Sequence, residues 1–256
     1  MEFPERIKRK KGREKIVVLT AYDYQMAKIL DGTGIDLILV GDSLGMVMQG
    51  DSNTKSVTMK DMIYHTKNVA KGAKKTSIIG DMPINSCNTV EDGLRNAKQF
   101  LEAGAHGVKI EGNRPEVVEA LIEAEIPVMG HIGMLPQRAE TYHVKGKEPE
   151  EAAEIFQDAL NLDKLGVFSI VLECMPESLA KKITEEVKAP TIGIGAGKHC
   201  DGQVLVVNDM LGLDESFKPK YVKRYAHLNK VIEDAVAEFV KEVSAGKYPD
   251  EKHTYH

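Results

Sequence analysis

Short apolar runs recur along the chain, and each is followed by a stretch with helical spacing. The runs are Ile16–Thr20, Leu37–Gly41, Ser77–Gly80, Gly107–Ile110, Pro127–Gly130, Phe168–Leu172, Pro190–Gly195 and Gln203–Val207. They are rich in Val and Ile and nearly continuous, the pattern of parallel strands covered on both faces. They begin about 27 residues apart on average, which suits a strand, a loop and a helix. Between them, Val90–Ala103, Arg114–Glu125, Glu150–Leu165 and Pro176–Val187 carry helix signals. Asn88-Thr89-Val90-Glu91 offers a cap ahead of the first of these, Gly104 ends it, and Pro115 suits the first turn of the second. A last helix is expected over Tyr221–Val243, with Val222, Tyr225, Leu228, Ile232, Val236, Phe239 and Val243 in one stripe. The arrangement predicts an α/β fold, a single-domain TIM (β/α)8 barrel over residues 1–256. An open, doubly wound sheet is the alternative.

Composition narrows the picture. A chain of 256 residues, 42% hydrophobic, can bury a core without a disulfide or structural metal. It has no run of about 18 apolar residues to cross a membrane, and Met1–Arg6 offers no apolar stretch for a signal peptide. Net charge is −5, with both signs mixed, so general attraction to nucleic acid or anionic lipid is not expected. Cys87, Cys174 and Cys200 are widely spaced and form no CxxC pair. That fits a reducing cytoplasm and leaves the cysteines structural or incidental. One basic cluster stands out: Arg6, Lys8, Arg9, Lys10, Lys11, Arg13 and Lys15. It reads as a leader helix within residues 1–15, packed on the barrel, or else as a polyanion contact.

The chemistry is at one end of the strands. Barrel active sites lie at the C-terminal ends, and five of those ends are polar: Asp42-Ser43, Asp81, Lys109-Ile110-Glu111, His131 and Glu173. Packing gives no reason to place charges after separate hydrophobic strands, and the carboxylates repel unless a cation sits among them. Asp42, Asp81 and Glu111 are hard oxygen donors without Cys or a dense His set, which favours Mg²⁺. Helix capping is the other use for such residues. Lys109 and Glu111 lie two apart and face one side. Lys109 suits a clamp on a substrate carboxylate or oxyanion, a salt bridge within the cluster, or, less readily among carboxylates, a Schiff base. Glu173 follows an apolar run and is partly desolvated, as a general base requires, or else it serves the next helix N-terminus. His131 reads as a substrate or oxyanion contact or as a buried hydrogen-bonded residue. Ile192–Gly197 has G-x-G-x-G spacing, not a dinucleotide fingerprint, and means close ligand approach or tight packing.

Together these strand ends resemble the ketopantoate (3-methyl-2-oxobutanoate) hydroxymethyltransferase family. The matching pieces run in order: Leu19–Asp23, Val40–Met46, Gly80–Pro83, Val108–Gly112, Gly130–Gly133, Leu172–Pro176, and Ile192–Gly197 continuing into Cys200–Val206. The resemblance implies a TIM barrel of the phosphoenolpyruvate/pyruvate enolate type. It implies a Mg²⁺ site at Asp42, Asp81 and Glu111, and a keto-acid site at Asp42, Ser43, Asp81 and Lys109. Glu173 would be the proton acceptor. The implied reaction moves a hydroxymethyl group from 5,10-methylenetetrahydrofolate, or a modified pterin, to 3-methyl-2-oxobutanoate through a Mg-stabilised enolate, giving ketopantoate for coenzyme A biosynthesis. Family members form large homo-oligomers, often decamers. Two segments depart from the common pattern: Ile84-Asn85-Ser86-Cys87 stands where many members carry Phe-Gly-Ser-Tyr, and Thr141–Lys147 differs from the commoner Lys-Val-Gln-Gly. A lyase or mutase of the isocitrate lyase and phosphoenolpyruvate mutase kind is a rival, but its Lys-Lys-Cys-Gly-His segment is missing. A barrel without catalysis is the other rival, which the intact Asp42, Asp81, Glu111 and Glu173 argue against.

Overall fold

A computed structural model describes residues 2–216 and 218–256. The chain forms two compact units, one through Val206 and one from Val207 to His256.

In the first unit eight parallel strands close into a barrel in chain order. They are β1 (Ile16–Thr20), β2 (Leu37–Val40), β3 (Ser77–Asp81), β4 (Gly107–Glu111), β5 (Val128–Gly133), β6 (Ser169–Glu173), β7 (Thr191–Ile194) and β8 (Gly202–Leu205). All eight apolar runs are strands, and the open-sheet alternative falls because β8 pairs with β1. Helices alternate with them: α1 (Phe3–Lys10), α2 (Tyr24–Asp31), α3 (Leu44–Val47), α4 (Met59–Gly72), α5 (Val90–Glu102), α6 (Pro115–Glu123), α7 (Pro149–Leu165) and α8 (Glu177–Glu186). Side chains supply the helix starts. Asp23 accepts the Met26 N–H at 2.9 Å, Thr89 accepts from Asp92, and Thr58 with Asp61 forms a reciprocal capping box.

The strand period of two decides what fills the barrel. Ile16, Val18, Leu37, Leu39, Ile79, Met129, Val171, Ile192 and Val204 form one buried cluster. The alternate residues, such as Ile38, Ile78, Val108, Ile110 and Ile170, are buried as well, which explains why the runs are continuous rather than alternating. Gly80 and Gly130 fall on that second set because a Cβ there would run into the Phe100 ring of α5 and Leu162 of α7.

α1 accounts for the basic cluster. Ile7 is fully buried in the interior cluster, and Phe3 packs edge-on to Phe168 at 5.3 Å. Lys11 Nζ reaches Asp201 and the Thr184 carbonyl at 2.9 Å, Lys15 Nζ the Cys200 carbonyl at 2.5 Å, and Lys10 Nζ Asp36 at 2.6 Å. These three lysines bind carboxylates and carbonyls at the N-terminal end of the barrel.

The second unit holds α9 (Val207–Leu211) and α10 (Leu228–Ser244). The helix expected over Tyr221–Val243 therefore starts seven residues late. The Tyr225 N–H goes to the Met210 carbonyl at 2.8 Å and Val222 to Pro219, so residues 221–227 turn instead of coiling. Val222 and Tyr225 continue the stripe in sequence but not in the helix. None of the residues of α10 is buried. Among the described residues no helix is long and apolar enough to cross a membrane.

Candidate active site

The interior parity carries the site. Two residues past Ile79, Met129 and Val171 on their strands come Asp81, His131 and Glu173, and Lys109 and Glu111 share the parity on β4. Asp81 pairs with Lys109 in register, and Glu111 with His131. The lower interior is apolar and the C-terminal end is charged, on the same side of the same strands. Asp42 and Ser43 follow β2 directly. Every site residue expected from the sequence reaches this one end of the barrel. Asp42, Asp81, Lys109, Glu111 and His131 are buried, while Glu173 and Ser43 remain partly open.

Capping is not what these carboxylates do. Lys109 Nζ donates to both Asp81 oxygens at 2.7 Å, and Asp81 Oδ2 also accepts the Asp42 backbone N–H at 3.2 Å. Asp42 Oδ2 accepts from the Gln137 side-chain amide at 2.9 Å, and Glu111 Oε2 from the Gln137 backbone N–H at 3.2 Å. His131 stands between two carboxylates: Nδ1 is 3.6 Å from Glu111 and Nε2 is 3.1 Å from Glu173. The ring is close to Glu173 but not aligned with it, and neither nitrogen makes a directed hydrogen bond. Ser43 Oγ and the Tyr22 hydroxyl lie 2.8 Å apart.

Burial and like charge act together here. Burial first, then the Asp81 charge, raises the Asp42 carboxyl from 3.8 to about 7 against the pull of Lys109. Burial raises Glu111 well above its ordinary value, again against Lys109. Burial alone would depress Lys109, but Asp81, Asp42 and Glu111 outweigh it and raise the ammonium. Lys109 is thus a fixed cation. His131 is lowered by burial and then by Lys109.

The backbone around Glu173 is held from several sides. Its carbonyl accepts the Met134 N–H at 2.9 Å, and Cys174 N–H donates to Ile194. Cys174 takes a left-handed φ of 46°, a conformation that costs a non-glycine residue energy and collects at functional sites. Its thiol, pushed up to about 12 by burial and then by Glu173, is a poor nucleophile, in keeping with an incidental cysteine.

Two residues at this end were not among the sequence candidates. Gln137 lies in the loop after β5 and is buried. An uncharged loop residue breaks no pattern, so no sequence signal marks it. Tyr142 lies farther along that loop. Burial, then the Glu173, Asp42 and Glu111 charges, raise its phenol. The two departures from the family pattern are also accounted for. Asn85, where glycine is common, has φ of 64°, and Asn is a residue that tolerates that region. Lys145 pairs with Glu151 at 3.0 Å, and its N–H donates to the Cys174 carbonyl. Of the glycine-run readings, packing is visible: a Cβ on Gly197 would run into the Glu177 side chain, and one on Gly193 would press on Cys200 and Gln203.

Among the described residues, no three His, Cys, Asp or Glu side chains are gathered closely enough to hold a metal ion as they stand. Lys109 donates to both oxygens of Asp81, and Gln137 to one of Asp42. The donor set still suits a hard divalent cation. Glu111 Oε1 is buried without a hydrogen bond, and burial with like charge raises the Asp42 and Glu111 carboxyls, whose protons a divalent cation would displace.

Comparison with known proteins separates the rival readings. A phosphonopyruvate hydrolase, solved with oxalate and Mg²⁺, covers 99% of this chain and 93% of its own, with TM-score 0.66 at 12% identity. A 2,3-dimethylmalate lyase of the phosphoenolpyruvate mutase/isocitrate lyase superfamily covers 100% and 92%, with TM-score 0.61 at 13% identity. At that identity the likeness is one of fold, a TIM barrel of this type. The 3-methyl-2-oxobutanoate hydroxymethyltransferase of Clostridium botulinum (strain 657 / Type Ba4) is 51% identical over 249 residues, 94% of this chain and 90% of its own. That of Caldicellulosiruptor saccharolyticus is 50% identical over 254 residues, 97% and 96%. The sequence model of ketopantoate hydroxymethyltransferase matches residues 2–251. A match over nearly the whole length, together with relatives at half identity, carries what the strand-end residues pointed to: the chain belongs to the ketopantoate hydroxymethyltransferase family, a family of transferases.

Proposed function

We propose that this chain transfers a hydroxymethyl group to 3-methyl-2-oxobutanoate, giving ketopantoate for pantothenate and coenzyme A biosynthesis in the cytoplasm. The observation that carries the reading is the buried Lys109 among Asp42, Asp81 and Glu111, with Glu173 at the same barrel end, in a chain of this family.

Asp42, Asp81 and Glu111 would hold Mg²⁺. Bound there, the ion would act as a Lewis acid on the keto acid and draw electron density from its reacting carbon. Lys109 meets the substrate carboxylate and, after proton removal, helps hold the negative charge on the oxygen. Asp42, Ser43 and Asp81 complete the substrate contacts. Glu173 takes the proton from C3. His131, 3.1 Å from Glu173, stands beside that base. One C–N bond of the methylene bridge of 5,10-methylenetetrahydrofolate, or of a modified pterin, opens with proton uptake on nitrogen to leave an iminium. The C3 electron pair forms the new C–C bond to that methylene carbon as the C=N pair returns to nitrogen. The remaining C–N bond then breaks: water supplies the hydroxyl to the methylene carbon and a proton to the nitrogen, and tetrahydrofolate leaves. The active form is a homo-oligomer, a decamer as the family resemblance implies, and the exposed apolar face of α10 supports assembly.

The direct test incubates the enzyme with keto acid, Mg²⁺ and 5,10-methylenetetrahydrofolate and follows ketopantoate by NMR. Formation that depends on all three supports the reading. Turnover of the keto acid to another product, or none, overturns it.

A further inference from the structure

Gln137 is an uncharged side chain that ties the ends of separate strands together at this site. Its amide nitrogen carries two protons and both are used, on Asp42 Oδ2 and on the Met82 carbonyl, each at 2.9 Å. Its backbone N–H donates to Glu111 Oε2 at 3.2 Å. A single residue from the loop after β5 thus grips the segments that follow β2 and β3 and the last residue of β4. Adjacent buried carboxylates repel and turn apart unless donors fix them. A lysine or arginine in this place would fix them and also cancel their charge. An amide fixes them and leaves the charge available to a cation.

We propose that Gln137 is a positioning residue that tethers Asp42 and Glu111 to one loop at the barrel end, so that the two carboxylates can close with Asp81 on a divalent cation. The inference rests on the metal reading above and deepens it. Groups that orient metal ligands typically contribute about 10- to 100-fold to affinity.

The test compares wild type with Gln137→Met, which keeps length and bulk and loses both donors. If that variant does not fold, Gln137→Asn, one carbon short of the same reach, carries the same test. Two readouts are taken on the full chain: Mg²⁺ titration by calorimetry without substrate, and KM for 3-methyl-2-oxobutanoate across a range of Mg²⁺. The expected result is Mg²⁺ affinity weakened about 10-fold or more, with KM raised at low Mg²⁺ and restored at saturating Mg²⁺. An unchanged Mg²⁺ affinity overturns the inference. So does a loss of turnover that saturating Mg²⁺ does not restore, because a simple loop anchor behaves that way. If wild type itself takes up no Mg²⁺, the metal reading and this inference fall together; uptake by wild type that Gln137→Met leaves unchanged overturns this inference alone.

Discussion

Lys109 is a buried cation whose two carboxylate contacts at 2.7 Å both belong to Asp81. A Schiff-base lysine must be neutral at the moment of attack, and the surrounding carboxylates hold this one charged. The sequence reading ranked an imine aldolase below a charged clamp for that reason, and the geometry supports the ranking. Incubation with keto acid and borohydride therefore leaves no adduct on Lys109 by mass spectrometry; a stable adduct contradicts the clamp. Lys109→Arg keeps the charge but brings a wider, planar group into a space filled by Asp81, so activity falls by at least about tenfold although the charge is kept. Residues of this kind were legible in the sequence because a charge at the end of an apolar strand has no packing excuse. Gln137 was not, because an amide in a loop offends no rule. Its importance comes only from where the fold sends the loop.

Elements were read well where one period dominates. Continuous apolar runs marked every strand to within a few residues, because strands covered on both faces have no polar alternation to obscure them. The start of α10 was misread because Val222 and Tyr225 fit its stripe while their N–H groups bond elsewhere. Long-range contacts at the junctions could not be read. Asp31, the last residue of α2, accepts the N–H groups of Lys75 and Thr76 at 2.9 and 2.7 Å just ahead of β3. Asp163 near the end of α7 does the same for Lys188 and Ala189 ahead of β7. Burial alone would raise the Asp31 carboxyl, but the N–H groups of Thr76, Lys74 and Lys75 outweigh it and lower it from 3.8 to about 2. The charged form is favoured by folding, so its stabilisation is complete above about pH 4 and is lost as pH falls through about 2. Asp31→Asn is expected to lower unfolding free energy at neutral pH by about 1–2 kcal/mol, after allowance for partial exposure. The difference from wild type shrinks toward zero at about pH 2. Denaturant titration at both pH values checks it: an equal difference at both contradicts the charged-acceptor account.

At the scale of the whole molecule, α10 carries Val231, Ile232, Val236, Phe239, Val240 and Val243 at 46–61% exposure. A soluble monomer seldom leaves so continuous an apolar face open, and a second copy of the chain is the partner expected to cover it. Light scattering at micromolar concentration should give a mass several times 28.2 kDa, and Val236→Asp with Phe239→Asp should shift it downward; a monodisperse wild-type monomer contradicts the assembly. The central claim is that this barrel end removes a proton from C3 of a keto acid, with Glu173 as base and a divalent cation held by Asp42, Asp81 and Glu111. Deuterium exchange at C3 of 3-methyl-2-oxobutanoate, followed by NMR without folate, isolates that step. The account predicts exchange with Mg²⁺, none in excess chelator, and a loss of about 10²-fold or more in Glu173→Gln. Exchange at the wild-type rate in chelator or in Glu173→Gln would contradict it.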